Sequence, residues 1–300
     1  MHAALRAAAA AAETAHANVG VQIFHHAHAG RINAVAAHPT AAVAASVGVD
    51  RTLRLWDCAE RRLSQLVRLP DRATALAFHP DGRTLALGCD KGELVLLTCE
   101  GASPARGWTR AAVADLKYSA DGKVLAVACA DKCIYIFAAD AGYKRKCVLK
   151  GHSVAPTRLD FDVSGRMLQS NDLAREVLFW DVQSGKQLTN AFALRNTQWA
   201  TWTCPLGWPV QAVSDGGEGD GAAPEALAAV VARSGDSGAL VSPGAANQLR
   251  LLSYPALRGA LAKHYACHRD AVSGLAFTAG DERVVSAGGK DATLAMWRHT

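Results

Sequence analysis

Ala42-Val43-Ala44-Ala45-Ser46-Val47-Gly48-Val49-Asp50-Arg51-Thr52-Leu53-Arg54-Leu55-Trp56 reads as two short apolar runs joined by a turn, and the aspartate of that turn recurs. Asp90, Asp131 and Asp172 follow at intervals of 40, 41 and 41 residues, each between two apolar runs, and Asp291 lies 119 residues beyond the last. Because 119 is close to three such periods, the spacing implies seven units, with two degenerate ones between Asp172 and Asp291. A period near 40 with four short strands per unit is the mark of an all-β, seven-bladed β-propeller of WD-repeat type, each blade one small sheet and the blades closed into a ring. Rings of this kind mostly bind other macromolecules, so the question becomes one of partner rather than reaction.

The regular blades can be read strand by strand. Residues 32–37, 42–47 and 52–56 give the first, and 74–78, 84–87 and 93–97 the second. Ala120-Asp121-Gly122, Asp131-Lys132, Ser164-Gly165 and Asn171-Asp172 fill the turns of the third and fourth, since these side chains bond their own backbone or accept positive φ. Trp56, Phe137, Trp180 and Trp297 close third strands. The chain runs only three residues past Trp297, so the last blade lacks its outer strand. Asn18-Val19-Gly20-Val21-Gln22-Ile23-Phe24 is apolar at alternate positions, and pairing residues 19–24 with the last blade would close the ring and remove two exposed edges. The propeller is thus expected over 18–300, behind an Ala-rich segment, 1–17, that is helical or disordered.

Between Trp180 and Asp291 the pattern loosens. Residues 199–204 and 210–213 are expected as two strands of a fifth blade, 214–225 as a solvated Gly-rich acidic loop, and 226–232, 239–242 and 248–253 as the sixth blade. Trp199, Trp202 and Trp208 are expected to pack between neighbouring sheets rather than to form a ligand cage.

Composition fits one compact domain, with half of the 300 residues hydrophobic, 20% charged and 26 glycines for the many turns. No apolar run reaches 18 residues, so no membrane span is expected. The eight cysteines, at 58, 89, 99, 129, 133, 147, 204 and 267, lie in apolar strands without a CxxC pair, which reads as reduced core thiols of an intracellular protein. The net charge of +5 permits an acidic partner, but neither Arg61-Arg62 nor Lys144-Arg145-Lys146 is long enough for a nucleic-acid arm. His152 and His268 precede first strands, where a WD repeat places a histidine bonded to the turn acid and, through Ser or Thr, to the Trp of the third strand. His268, Ser286, Asp291 and Trp297 offer the full set, and this structural role, with turn-stabilising aspartates, is favoured over metal or acid-base chemistry.

Two fragments resemble a serine protease: Gly235-Asp236-Ser237-Gly238 and Ala36-Ala37-His38. The repeat explains both. Phe78-His79-Pro80 holds the same blade position as Ala37-His38-Pro39, and Ser237 falls in a turn, so neither catalysis nor a cofactor is expected.

Met167-Leu168-Gln169-Ser170-Asn171-Asp172, Trp199-Ala200-Thr201-Trp202-Thr203-Cys204, Leu249 to Pro255 and Ser286-Ala287-Gly288-Gly289-Lys290-Asp291 with Trp297 resemble the second, C-terminal propeller of the echinoderm microtubule-associated protein-like (EML) family over about residues 28–298. The resemblance implies a cytoplasmic, microtubule-associated protein, with the ciliary axoneme a further setting. One departure is Ser242-Pro243-Gly244-Ala245-Ala246-Asn247, where the family shows an acidic Gly-Asp-Asp turn.

A surface for such a partner is suggested by basic residues beside the turn acids: Arg51, Lys91, Lys132 and Lys290, with Arg175 three positions past Asp172. Two readings of them stand: soluble turn residues that screen their Asp neighbours, or a positive annulus facing the acidic tubulin lattice. The alternative function is a WD-repeat scaffold for another protein assembly, such as a ciliary or ubiquitin-ligase complex.

Overall fold

The structure, a computed structural model, describes residues 20–98, 101–213, 231–235, 238–244 and 247–298, with backbone alone at 101–108. The expected helix or disorder at 1–17, the loop at 214–225, most of 226–232, and Cys99, Asp236 and Ser237 lie outside these residues. A short strand, β1 (Val21–Phe24), precedes four regular blades. They are β2 (Ile32–Ala37) to β5 (Arg62–Arg68) through β3 (Val43–Gly48) and β4 (Thr52–Asp57); β6 (Ala73–Phe78) to β9 (Gly101–Trp108) through β7 (Thr84–Cys89) and β8 (Glu93–Thr98); β10 (Val113–Tyr118) to β13 (Lys144–Lys150) through β11 (Val124–Cys129) and β12 (Cys133–Ala138); and β14 (Pro156–Phe161) to β17 (Lys186–Gln187) through β15 (Met167–Asp172) and β16 (Val177–Asp181). A sixth blade contains β18 (Ala232–Arg233), β19 (Ala239–Pro243), β20 (Gln248–Ser253) and β21 (Ala262–Ala266). The seventh contains β22 (Val272–Phe277), β23 (Arg283–Gly288) and β24 (Leu294–Arg298).

Each strand pairs antiparallel with the next in its blade, and β1 pairs with β24 in the register Val21 to Trp297 through Phe24 to Leu294. The second strands β3, β7, β11 and β23 are buried along five of their six residues, so they read as continuous apolar runs rather than alternating ones. A sheet covered on both faces by neighbouring sheets requires that pattern. The core accordingly lies between blades: Leu116 and Tyr135 pack with Ala86 and Leu96, Trp180 and Phe161 with Ile134 and Ile136, and Trp56 and Ile32 with Leu294 and Met296. Polar stitches follow the same circuit. His38 Nε2 bonds the Gly82 carbonyl and His79 Nε2 that of Gly122, both at 3.0 Å. Gly82 and Gly122 are at φ +73°, and a Cβ on either would lie 2.4 Å from the imidazole, so the turn can take no side chain there.

The fifth unit departs from expectation. Neither 199–204 nor 210–213 forms a strand; the described part of the unit carries only isolated bridges, Asp162 to Trp199 and Val210 to Ala256 among them. The reason lies in Asp160, a wholly buried residue of β14. Its carboxylate takes the hydroxyl of Thr201 (2.6 Å) and the N–H groups of Thr203 (2.8 Å) and Cys204 (2.9 Å), the last two being donors that a ladder would otherwise have used. Trp199 and Trp202 pack edge to face beneath, ring centres 6.3 Å apart. Removing the carboxylate strands the buried Cys204 N–H and the half-buried Thr203 N–H, so Asp160→Ala should lower the unfolding free energy by about 3 kcal/mol, read as a fall in the urea midpoint. A loss below about 1 kcal/mol would show that tryptophan packing alone holds the unit.

Candidate partner-binding face

The first strands line the ring in order, β22 against β2, then β6, β10 and β14. Their side chains reach the next blade at matching levels, as in Asn33 Nδ2 to the Ala73 carbonyl and Thr74 Oγ1 to that of Val113. The turns between second and third strands therefore emerge at one end of the ring. In blades one to four these turns span residues 48–52, 89–93, 129–133 and 172–176. The fourth residue of each is left-handed: Arg51 (φ 55°), Gly92 (86°), Lys132 (69°) and Arg175 (65°). In each, the N–H of that residue donates to the carbonyl three residues earlier, for example Arg51 to Gly48 at 3.3 Å. Asn247 (60°) and Ala292 (53°) are the left-handed residues of the corresponding turns in blades six and seven.

This geometry alters the reading of the turn acids. Asp50, Asp131 and Asp291 stand just before the left-handed residue, but Lys91 occupies that place in blade two and Ala174 in blade four. Asp90 comes one position early; its Oδ1 is buried without a hydrogen bond and its Oδ2 meets Arg72 at 3.1 Å. Asp172 comes two positions early, as the last residue of β15, and still reaches His152. The nearly even spacing of the aspartates conceals these shifts.

Three blades carry the same polar chain behind the turn. In blade one Trp56 Nε1 donates to Ser46 Oγ (2.9 Å), which lies 2.7 Å from His28 Nε2, while His28 Nδ1 lies 3.0 Å from Asp50 Oδ1. Blade four repeats it with Trp180, Ser170, His152 and Asp172 at 2.9, 2.7 and 2.9 Å. In blade seven Trp297, Ser286 and His268 follow at 2.8 and 2.8 Å, but Thr293 Oγ1 stands between His268 (2.7 Å) and Asp291 (2.8 Å). His28 was not singled out in the sequence, although histidine precedes serine by 18 residues in all three blades. In blade three Thr109 and Phe137 stand where the histidine and tryptophan stand in the others, and Asp131 accepts instead from the Tyr135 hydroxyl (2.6 Å).

His152, Asp172 and Glu176 have ligand atoms within 4.8 Å of one another. Both His152 nitrogens are already engaged, and Glu176 accepts from the Ser153 N–H at 2.9 Å, so the cluster is a hydrogen-bonded turn. His38 likewise spends both nitrogens, on Gly82 and on the N–H groups of Thr40 and Ala41, leaving none to activate a serine. Burial pushes the Cys58 thiol up to about 11 and those of Cys89, Cys129 and Cys267 to about 12, so these remain protonated. Trp199 and Trp202 are buried as expected, but Trp208 is half-exposed.

The five basic residues do not behave alike. All are exposed. Lys91 Nζ is 2.6 Å from Asp71, whereas Arg51, Lys132, Arg175 and Lys290 make no ion pair among the described residues.

Comparison with known proteins follows the same lines. Residues 32–299 match the family model described as the echinoderm microtubule-associated protein second beta-propeller. The chain is 32% identical over 289 residues to echinoderm microtubule-associated protein-like 2 of Rattus norvegicus, covering 94% of this chain and 44% of that protein. It is 30% identical over 278 residues to the 77 kDa echinoderm microtubule-associated protein of Lytechinus variegatus, covering 90% and 41%. The chain thus spans less than half the length of these relatives. A solved structure of RRP9 WD40 repeats superposes with a TM-score of 0.73 at 13% identity, over 93% of this chain and 97% of that one, a likeness of fold.

The polar chain also sets a pH dependence. Burial lowers the His28 pKa from 6.5 despite Asp50, so the unfolded chain binds that proton more readily and stability falls as pH drops below 6.5. Burial alone would raise the Asp50 carboxyl, but the Ala29 N–H, His28 and Thr52 bring it from 3.8 to about 2. Its contribution is complete above pH 4 and is lost as pH falls towards 2. Urea midpoints measured from pH 8 to pH 2 should fall in these two stages, the lower one shallower in Asp50→Asn; constant midpoints between pH 7 and 3 would contradict the assignment.

Proposed function

Since the chain belongs to the echinoderm microtubule-associated protein-like family, as its second propeller, we propose that it is a non-catalytic, cytoskeletal interaction module that meets the acidic surface of the microtubule with the turn face bearing Arg51, Lys132, Arg175 and Lys290. The observation that carries this reading is where three of these cations stand. Arg51, Lys132 and Arg175 occupy the left-handed turn place, which costs an ordinary L-residue about 1–2 kcal/mol and which Gly92 and Asn247 fill cheaply in other blades. They form no ion pair among the described residues to offset that cost. A strained residue with an exposed, uncommitted charge suits a binding surface better than a solubility device. Lys91, held by Asp71, contributes less. The partner is taken from the relatives, which are microtubule-associated proteins.

Exposed charge pairs are each worth about 1 kcal/mol or less, so single substitutions will barely register. The combined variant Arg51→Asn, Lys132→Asn, Arg175→Asn, Lys290→Gln removes four charges while giving the three left-handed places a residue that tolerates them. It should melt at the native temperature or above, yet co-sediment with microtubules at least about tenfold more weakly. Native binding should also fall steeply with salt. Equal pelleting of the folded variant would eliminate this face; a native chain that does not pellet would favour a scaffold for another protein assembly.

A further inference from the structure

Arg61-Arg62-Leu63-Ser64 is too short for a nucleic-acid arm, but it has the form that arginine-directed serine kinases select, with guanidinium groups three and two residues before a hydroxyl. Ser64 is the only serine or threonine in the sequence with a basic residue at both places. The fold puts this hydroxyl where an enzyme can reach it. Ser64 lies in β5, the outermost strand of blade one, which pairs with β4 on one side and with no strand on the other among the described residues. Residues 61–66 are all exposed. Leu55 faces Gln65 and Trp56 faces Leu63, so Ser64 is the extra residue of a β-bulge. A bulge residue stands outside the regular pairing, which loosens the strand at that point. Among the described residues the Ser64 side chain makes no hydrogen bond and Arg61 and Arg62 make no ion pair.

Blade three repeats the bulge. There Ile136 faces Cys147 and Phe137 faces Arg145, which leaves Lys146, also exposed, in the place of Ser64. That position of the fold thus already carries a long charged side chain in solvent, and a phosphoryl group on Ser64 needs no repacking. We propose that Ser64 is a phosphorylation site for an arginine-directed serine kinase. The Ser64 Oγ bonds to the γ-phosphorus of ATP as the bond from that phosphorus to the β,γ-bridging oxygen breaks; ADP leaves, and the hydroxyl proton passes to the carboxylate base of the kinase. Residues 62–65 are already extended in β5. Arg61, at φ 52°, is the residue that must turn to enter a groove for extended substrates, with loss of the 3.3 Å bond from Gln22 Nε2 to its carbonyl. The phosphate adds about two negative charges and offsets those of the two arginines. The turn between β4 and β5 lies at the opposite end of the ring from that between β3 and β4, so the proposal stands apart from the microtubule reading.

The test incubates the full, folded chain with magnesium, ATP and the catalytic subunit of cyclic-AMP-dependent protein kinase, and maps the phosphate by tandem mass spectrometry. Incorporation should approach one phosphate per chain, at Ser64. Ser64→Ala should lower the initial rate at least about tenfold, and Arg61→Gln with Arg62→Gln, which keeps the acceptor, should raise KM at least about tenfold with a smaller change in kcat. The three positions are exposed, so both variants, and the phosphorylated chain itself, should keep the native melting temperature. No phosphate on the native chain, or an equal rate with Ser64→Ala, would overturn the proposal. So would labelling of Ser64 that appears only after thermal denaturation, because the site would then be closed in the folded ring.

Discussion

The pairing of β1 with β24 is the contact on which the rest depends. Every core cluster joins one blade to the next, so no blade completes its burial alone, and a break at any seam exposes two apolar sheet faces. Among the described residues, the seam between the first and last blades is the one place where residues remote in sequence supply a ladder. It is reinforced on both sides. Phe24 packs on Trp56 at a tilt with ring centres 5.1 Å apart, the Ala27 N–H donates to the Ala292 carbonyl, and the Ile32 N–H donates to the Gly289 carbonyl. Trp297 belongs at once to this ladder and to the chain through Ser286 and His268. Closure of the ring and rigidity of the turn face are therefore linked through one side chain.

That linkage explains how exposed charges can be held in place. A lysine or arginine in a loose turn is a solvated, mobile charge. Here the turn backbone is fixed by its own hydrogen bond and, in blades one and seven, by an acid bonded to buried histidine or threonine, so the charge projects from a defined point. The same end of the ring also carries compensating pairs, Lys91 with Asp71 and Arg72 with Asp90, so its charge is patterned rather than uniform.

Much of this was legible in the residues, and what was not has physical causes. Turn residues and apolar runs located the second and third strands of blades one to four, because local backbone chemistry decides them. The turn acids were only partly legible: a carboxylate can reach the same histidine from two backbone positions, as Asp50 and Asp172 do, so spacing alone could not separate the turn place from its neighbours. The hexamer Trp199 to Cys204 looked like a strand by composition, but its hydrogen bonds go to Asp160, a long-range partner that local pattern does not reveal. Trp208 looked like its two neighbours and differs only because Ala191 holds it at the surface. The left-handed conformations of Arg51, Lys132 and Arg175, which carry the functional argument, are invisible in a chain that offers no glycine there.

The most direct test of this account is the thermal unfolding of a chain lacking residues 1–25, followed by calorimetry and light scattering. Loss of β1 should uncover the edge of β24 and the flank of Trp56, replacing one cooperative transition with a broad, lower one accompanied by aggregation. A truncated chain that melts in a single transition at the native temperature and stays monomeric would show that the ring does not depend on this strand.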